Sequence, residues 1–152
     1  GGSQEKNMRG GTEYVYGIVG LAKAMEIAFS KMSLHHEHIL KLKKHMILKL
    51  NILLPEVKFN GLSGELSRSL YTVLSLSIPK FNNSDLLLFN LDLFGVACSG
   101  GSACSSGSSK LSHVISEIST KEENVVVRFS FSKYNTIEEI DYVVEKLKYL
   151  VG

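Results

Sequence analysis

Residues 99–109 read Ser-Gly-Gly-Ser-Ala-Cys-Ser-Ser-Gly-Ser-Ser, ten small residues around the single thiol of Cys104. A cysteine so placed has no bulky neighbour to shield it, and its backbone is free to move. Those are the conditions under which a thiolate reaches a bound substrate as a nucleophile. An incidental surface thiol would suit the same residues. The second cysteine, Cys98, closes the apolar run Val96-Ala97-Cys98 and reads as a small buried hydrophobe. Arg128 stands at the centre of an alternating run, where its planar fork of donors matches a carboxylate and never loses its charge. A solvated strand face is the other account of it. Thr12 follows Gly10-Gly11 just ahead of a helical pattern, so its hydroxyl and the nearby free amides suit an anion such as phosphate, or simply cap the helix. His35, His36 and His38 lack the spacing of a helical metal pair and are read as a solvated helix surface, with no metal expected.

These side chains need elements to hold them. Val15, Ile18, Val19, Ala22 and Met25 recur at helical spacing after Thr12-Glu13, which predicts a first helix, and Gly17 and Gly20 flatten its face for another backbone. A second, more basic helix is expected over 34–50. Pro55 then forces an extended entry into a short strand at 57–59, closed by an Asn60-Gly61 turn. In 70–78, Leu70, Leu74, Leu76 and Ile78 alternate with Tyr71, Val73, Ser75 and Ser77, the period of a strand, and Pro79 ends it. Ser84 opens a short helix that Gly95 stops, a brief strand follows at 96–98, and 99–109 reads as a mobile surface loop. After a short helix at 112–118, residues 125–131 alternate again. Val125, Val127, Phe129 and Phe131 share one face, leaving Val126, Arg128 and Ser130 on the other. Thr136 and Glu139 form a capping box that opens a last helix with Ile140, Val143, Val144, Leu147 and Val151 as its stripe. The expected class is α/β, or α+β, with an antiparallel or mixed sheet and helices on one side. Residues 1–30 form a connecting segment and helix, and 31–152 a small domain.

The bulk numbers set the bounds. The 152 residues make one domain's worth of chain, with 44% hydrophobic and 21% charged residues, a globular composition. A formal charge of +2 with scattered basic residues argues against nucleic acid as a partner. No apolar run approaches the roughly 20 residues of a membrane helix. Two cysteines fit a reducing compartment, and the chain is read as cytoplasmic.

Taken together, the motifs resemble the NifS-type group I cysteine desulfurases over nearly the whole chain. Gly1-Gly2-Ser3-Gln4-Glu5, Arg9-Gly10-Gly11-Thr12-Glu13 and Ile18-Val19-Gly20-Leu21-Ala22-Lys23-Ala24 are similar to that family's GGxQE, RxGTE and IVGLxKA segments. Ser99 to Cys104 with Ser112-His113-Val114 is similar to its SxGSAC and SHV loop, and Arg128-Phe129-Ser130 with Asn135-Thr136-Ile137-Glu138-Glu139-Ile140-Asp141 to its RFS and NTxEEID segment. The resemblance implies the C-terminal small domain of a fold type I transferase that uses pyridoxal 5'-phosphate. The implied substrate is L-cysteine, and the implied products are alanine and a persulfide on Cys104. It implies Arg128 as the anchor of the substrate carboxylate and Thr12 as a ligand of the cofactor phosphate across a homodimer interface. An iron-sulfur scaffold or a sulfur-carrier protein is the implied partner. Ser132-Lys133 departs from the glycine-arginine of many relatives. The family's cofactor lysine precedes its GGxQE segment, and neither Lys23 nor Lys110 has a motif that would replace it, so the chain alone is expected to be inactive. Selenocysteine lyases, aminotransferase-like enzymes and a non-catalytic sulfur-carrier docking domain are the competing readings.

Overall fold

The structure, a computed structural model, describes residues 2–100, 113–118 and 124–152. It divides into two compact units, Gly1–His35 and His36–Gly152.

In the first unit a left-handed turn at Gly11 (φ +102°) is tied back when the Gly11 N–H donates to Gln4 Oε1 at 3.2 Å. Helix α1, Val15–Leu53, starts in this unit and continues into the second. It opens where the Tyr14 carbonyl accepts from the Ile18 N–H at 3.0 Å, so Thr12 is not its cap. The two helices expected from the sequence are one. No glycine or proline lies between Gly20 and Pro55, so nothing in the chain breaks the hydrogen-bond ladder. It ends just ahead of Pro55, which disfavours helical geometry in the residue before it.

The second unit is built on a three-stranded antiparallel sheet, β1 (Lys58–Phe59), β2 (Val73–Ile78) and β3 (Val125–Ser130), in the order β1-β2-β3. Register is set by six pairs between β2 and β3, from Val73 opposite Ser130 to Ile78 opposite Val125. Leu74, Leu76, Ile78, Val127 and Phe129 share one face and one core with Ile39, Leu42, Met46 and Leu50 of α1, Leu87 and Leu91 of α2 (Leu87–Leu93), and Ile140, Val144 and Leu147 of α4 (Ile137–Val151). The short helix α3 is His113–Ile118. Val126, expected on the polar face, is nevertheless buried outside this core, as is Ile115 of α3. Among the described residues no helix is long and apolar enough to cross a membrane.

Helix ends follow their local chemistry. Gly95 (φ +74°) closes α2 in a Schellman turn, with the Gly95 N–H on the Asp92 carbonyl at 2.8 Å and the Val96 N–H on the Leu91 carbonyl at 2.9 Å. The capping box of α4 is present in both directions, Glu139 N–H to Thr136 Oγ1 at 3.3 Å and Thr136 N–H to Glu139 Oε2 at 3.1 Å.

Several expectations need correction. Residues 96–98 form no strand, and the Val96 N–H is spent on α2. Among the described residues this segment pairs with β3 at Ser99, in an isolated antiparallel bridge to Arg128. Leu70, expected to face inward, is 63% exposed in a turn ahead of β2. Its carbonyl instead accepts from the ammonium of Lys43 at 2.9 Å, and the Ser69 hydroxyl lies 2.8 Å from the same group. Lys43 is fully buried, and that burial lowers its pKa. The histidines are not a uniformly solvated surface. His38 Nε2 donates to the Asn135 carbonyl at 2.9 Å, and the His36 ring meets the Tyr71 ring edge-on at 4.5 Å.

Candidate functional site

Arg128 is the centre of the site. The residues of β3 alternate in the direction their backbone points. Just past the ends of both strands the Phe131 N–H donates to the Thr72 carbonyl at 2.8 Å, which sets the phase in which odd-numbered residues bond β2 and Arg128 turns its own N–H and carbonyl to the outer edge. There the Arg128 N–H donates to the Ser99 carbonyl at 2.7 Å, and the Ser99 N–H returns a bond of 3.1 Å. On its inner side Arg128 stands opposite Ser75 of β2. Residues directly opposite on an antiparallel ladder project to the same face, so Ser75, Arg128 and Ser99 make a polar row away from the core. Next to the row, Asn60 Nδ2 donates to Ser75 Oγ at 3.0 Å, and the Ser63 hydroxyl donates to the Ser75 carbonyl at 2.9 Å.

One donor of the row is left over. Arg128 Nε is buried and, among the described residues, has no hydrogen-bond partner. A buried donor left unpaired costs about 1–3 kcal/mol, more when the group is charged, and a planar acceptor such as a carboxylate relieves that cost with two bonds. Sequence alternation placed Arg128 on this face. It did not find the pairing with Ser99, because it put the contacting strand at 96–98.

The other candidates stand as follows. Thr12 is exposed and belongs to the first unit. The neighbouring cation, Arg9, pairs with Glu13. An exposed hydroxyl beside a glycine turn fits a phosphate oxygen as a neutral donor. Cys104 lies outside the described residues, as does the expected loop from 101 onward. Cys98 is half-buried against the core, and its pKa is pushed up to about 11 by burial first and the Asp92 charge second. At neutral pH such a group stays a thiol, which makes it a poor nucleophile. Among the described residues no cluster of histidine, cysteine and acidic side chains could hold a metal. A groove of about 660 Å³ runs between residues 94–97, the end of β3 and the start of α4, but it is not lined by Arg128, Thr12 or Cys98.

In architecture the chain is an α/β domain of the kind found in NifS-like proteins. A solved NifS-like protein superposes on 99% of the chain with a TM-score of 0.76 at 31% identity, using 37% of its own length, and a NifS-like protein from Rickettsia africae does so with a TM-score of 0.76 at 27%. The chain belongs to the aminotransferase class-V family, matched over residues 2–143. It is 39% identical over 153 residues to the cysteine desulfurase IscS of Clostridium botulinum, covering 99% of this chain and 38% of that protein. To the human cysteine desulfurase it is 36% identical over 148 residues, covering 96% of this chain and 31% of that protein. The chain thus spans less than two fifths of the length of these curated relatives.

Proposed function

We propose that this chain supplies the C-terminal part of a pyridoxal-phosphate cysteine desulfurase, acting in the cytoplasm as a homodimer, in which Arg128 holds the carboxylate of L-cysteine and Cys104 accepts its sulfur. In this reading residues 1–30 lead from a larger cofactor domain into the small domain of 31–152. The observation that carries the proposal is the buried, unpartnered Nε of Arg128 on a polar sheet face. The similarity to proteins named cysteine desulfurase supports the choice of substrate.

Each residue has a separate task. The backbone of Arg128 is fixed by pairing on both edges of β3, so the base of its side chain is placed before substrate arrives and its planar fork matches the carboxylate. Thr12 donates its hydroxyl to the cofactor phosphate. The cofactor, when bound, draws electrons from the substrate and opens its sulfur to attack. Cys104 thiolate then forms the sulfur-sulfur bond as the substrate's carbon-sulfur bond breaks. That bond's electron pair stays with the substrate carbon, which is protonated on the way to alanine. The persulfide on Cys104 passes to an iron-sulfur scaffold or sulfur carrier. Cys98 takes no part.

The test is made on the complete protein with cofactor and L-cysteine. One extra sulfur should appear on Cys104 by mass spectrometry and none on Cys98. Cys104→Ser should abolish alanine formation, and Arg128→Ala should weaken cysteine binding by about ten- to a hundredfold. Full activity in Cys104→Ser, or unchanged affinity in Arg128→Ala, would remove that residue from the site.

A further inference from the structure

The left-over Nε–H of Arg128 has a companion in the same row. Lys58 and Phe59 of β1 stand opposite Ser77 and Leu76 of β2, which puts the next residue, Asn60, level with Ser75. The Asn60 N–H donates to the Ser75 carbonyl at 2.9 Å, so the level is held. Ser75 in turn stands opposite Arg128. In the phase of this ladder β2 and β3 exchange no backbone bonds at Ser75 and Arg128, and such a pair is the close kind, with Cβ atoms about 4.5–5.5 Å apart. Asn60, Ser75 and Arg128 are therefore neighbours in one line across the sheet.

The hydrogen bonds along that line leave a proton over. Asn60 Nδ2 lies 3.0 Å from Ser75 Oγ, and Asn60 is itself buried. An amide nitrogen only donates, so Ser75 Oγ accepts there and its own proton is still to be placed. Arg128 cannot take it, because a guanidinium has no acceptor. The Ser75 carbonyl already accepts from the Asn60 N–H and from the Ser63 hydroxyl, at 2.9 Å each. Among the described residues, Ser75 and Arg128 thus stand side by side as donors, a hydroxyl proton and a buried Nε–H, with no acceptor between them. Two adjacent donors, one of them charged, suit the two oxygens of a carboxylate.

We propose that the Ser75 hydroxyl, turned towards Arg128 by the amide of Asn60, is a second donor to the carboxylate of the substrate, and that the two together select amino-acid thiols over thiols without a carboxylate. This rests on the role given above to Arg128. Ser75 touches the substrate and is a binding residue. Asn60 acts through Ser75, by occupying the hydroxyl oxygen on one side so that its proton turns to the other, and is a positioning residue.

The complete, cofactor-loaded protein provides the test, with L-cysteine and cysteamine, its analogue without the carboxylate, as the two probes. Binding is read from the cofactor's absorbance on rapid mixing. Ser75→Ala should weaken L-cysteine binding by about tenfold, as the loss of one hydrogen bond to a charged group does, and leave cysteamine within about twofold. Asn60→Ala should weaken L-cysteine by a smaller factor, about threefold, and should add nothing once Ser75 is alanine, because its effect passes through that hydroxyl. Unchanged L-cysteine affinity in Ser75→Ala would overturn the proposal. An equal loss for both probes would do the same, since it would mark Ser75 as a structural residue. If Ser75→Ala fails to fold, Asn60→Ala decides by the same comparison between the probes. Unchanged L-cysteine affinity in Arg128→Ala would strike instead at the role of Arg128 on which the proposal rests.

Discussion

Residues 36–53 of α1 bury Ile39, Leu42, Lys43, Met46 and Leu50 along one stripe, whereas residues 15–35 of the same helix bury none. The difference is not one of apolar content. Val15, Ile18, Val19, Leu21, Met25 and Phe29 are each at least half exposed. The buried residues recur at intervals of three and four, so they meet one surface, while the apolar stripe of the first half, with Val15, Ile18, Val19 and Met25 at the same spacing, meets none among the described residues. An exposed apolar stripe of this length is suited to packing against another surface. One half of α1 therefore stabilises this fold, and the other half does not. Polar contacts divide in the same way. Lys43, His38, His45 and Lys49 tie the second half to other elements, whereas Lys23 pairs with Glu26 on the helix itself at 3.0 Å.

The largest effect that could break this comparison comes from truncating one leucine in each half. Leu50 is fully buried, and Leu50→Ala should cost about 2–5 kcal/mol by urea denaturation of this chain, through lost contacts and the cavity left behind. Leu21 is 63% exposed, and Leu21→Ala should change stability by no more than about 0.5 kcal/mol. Similar costs at both positions would mean that the first half is packed in this chain after all.

A smaller effect tests the buried lysine. Among the described residues Lys43 bonds neutral partners, Ser69 and the Leu70 carbonyl, and burial depresses its pKa below the ordinary lysine value. The unfolded chain therefore holds this proton more tightly than the folded one. A positively charged Lys43 opposes folding, and the penalty fades as pH rises through the folded pKa towards 10.5. The stability of the wild type relative to Lys43→Met should rise over that window and level off above it. A difference that stays flat with pH would show that burial does not perturb Lys43.

Sequence made much of this molecule legible where a local rule acted alone. Alternation located β2 and β3, the Gly95 stop and the Thr136 and Glu139 capping box were read from residue type, and Asn60-Gly61 marked its turn. Arg128 was placed on the polar face by the same alternation. What failed depended on partners distant in the chain. Nothing near Lys43 signals that Ser69 and Leu70 will meet it, nor near His38 that the Asn135 carbonyl lies opposite. Val96 turns its N–H back to the Leu91 carbonyl of α2, and pairing with β3 is found three residues later at Ser99, which a run of apolar residues does not reveal. The split between two helices in α1 was read from a change in composition, which does not interrupt a hydrogen-bond ladder.

The smallest effect concerns the polar tie between α1 and α4. His45 Nε2 lies 2.7 Å and Lys49 Nζ 3.0 Å from Asp141 Oδ1. The hydrogen bonds from His45 and then Lys49 hold the Asp141 carboxyl below its usual pKa. A carboxylate whose folded pKa is depressed adds stability that is fully present above the unfolded value, about 3.9, and is lost as pH falls through the folded one. Asp141→Asn cannot ionise, so the wild type should be the more stable near neutral pH, and the two should converge as acid protonates Asp141. Because the pair is exposed, the advantage should also shrink when salt is added. In the first half of α1, Glu26→Gln disturbs only a contact within one helix and should leave the docking of α4 untouched. An acid unfolding midpoint that Asp141→Asn leaves in place would show that α1 and α4 are held by Val144 and Leu147 packing alone. The polar half of the contrast along α1 would then carry no stability.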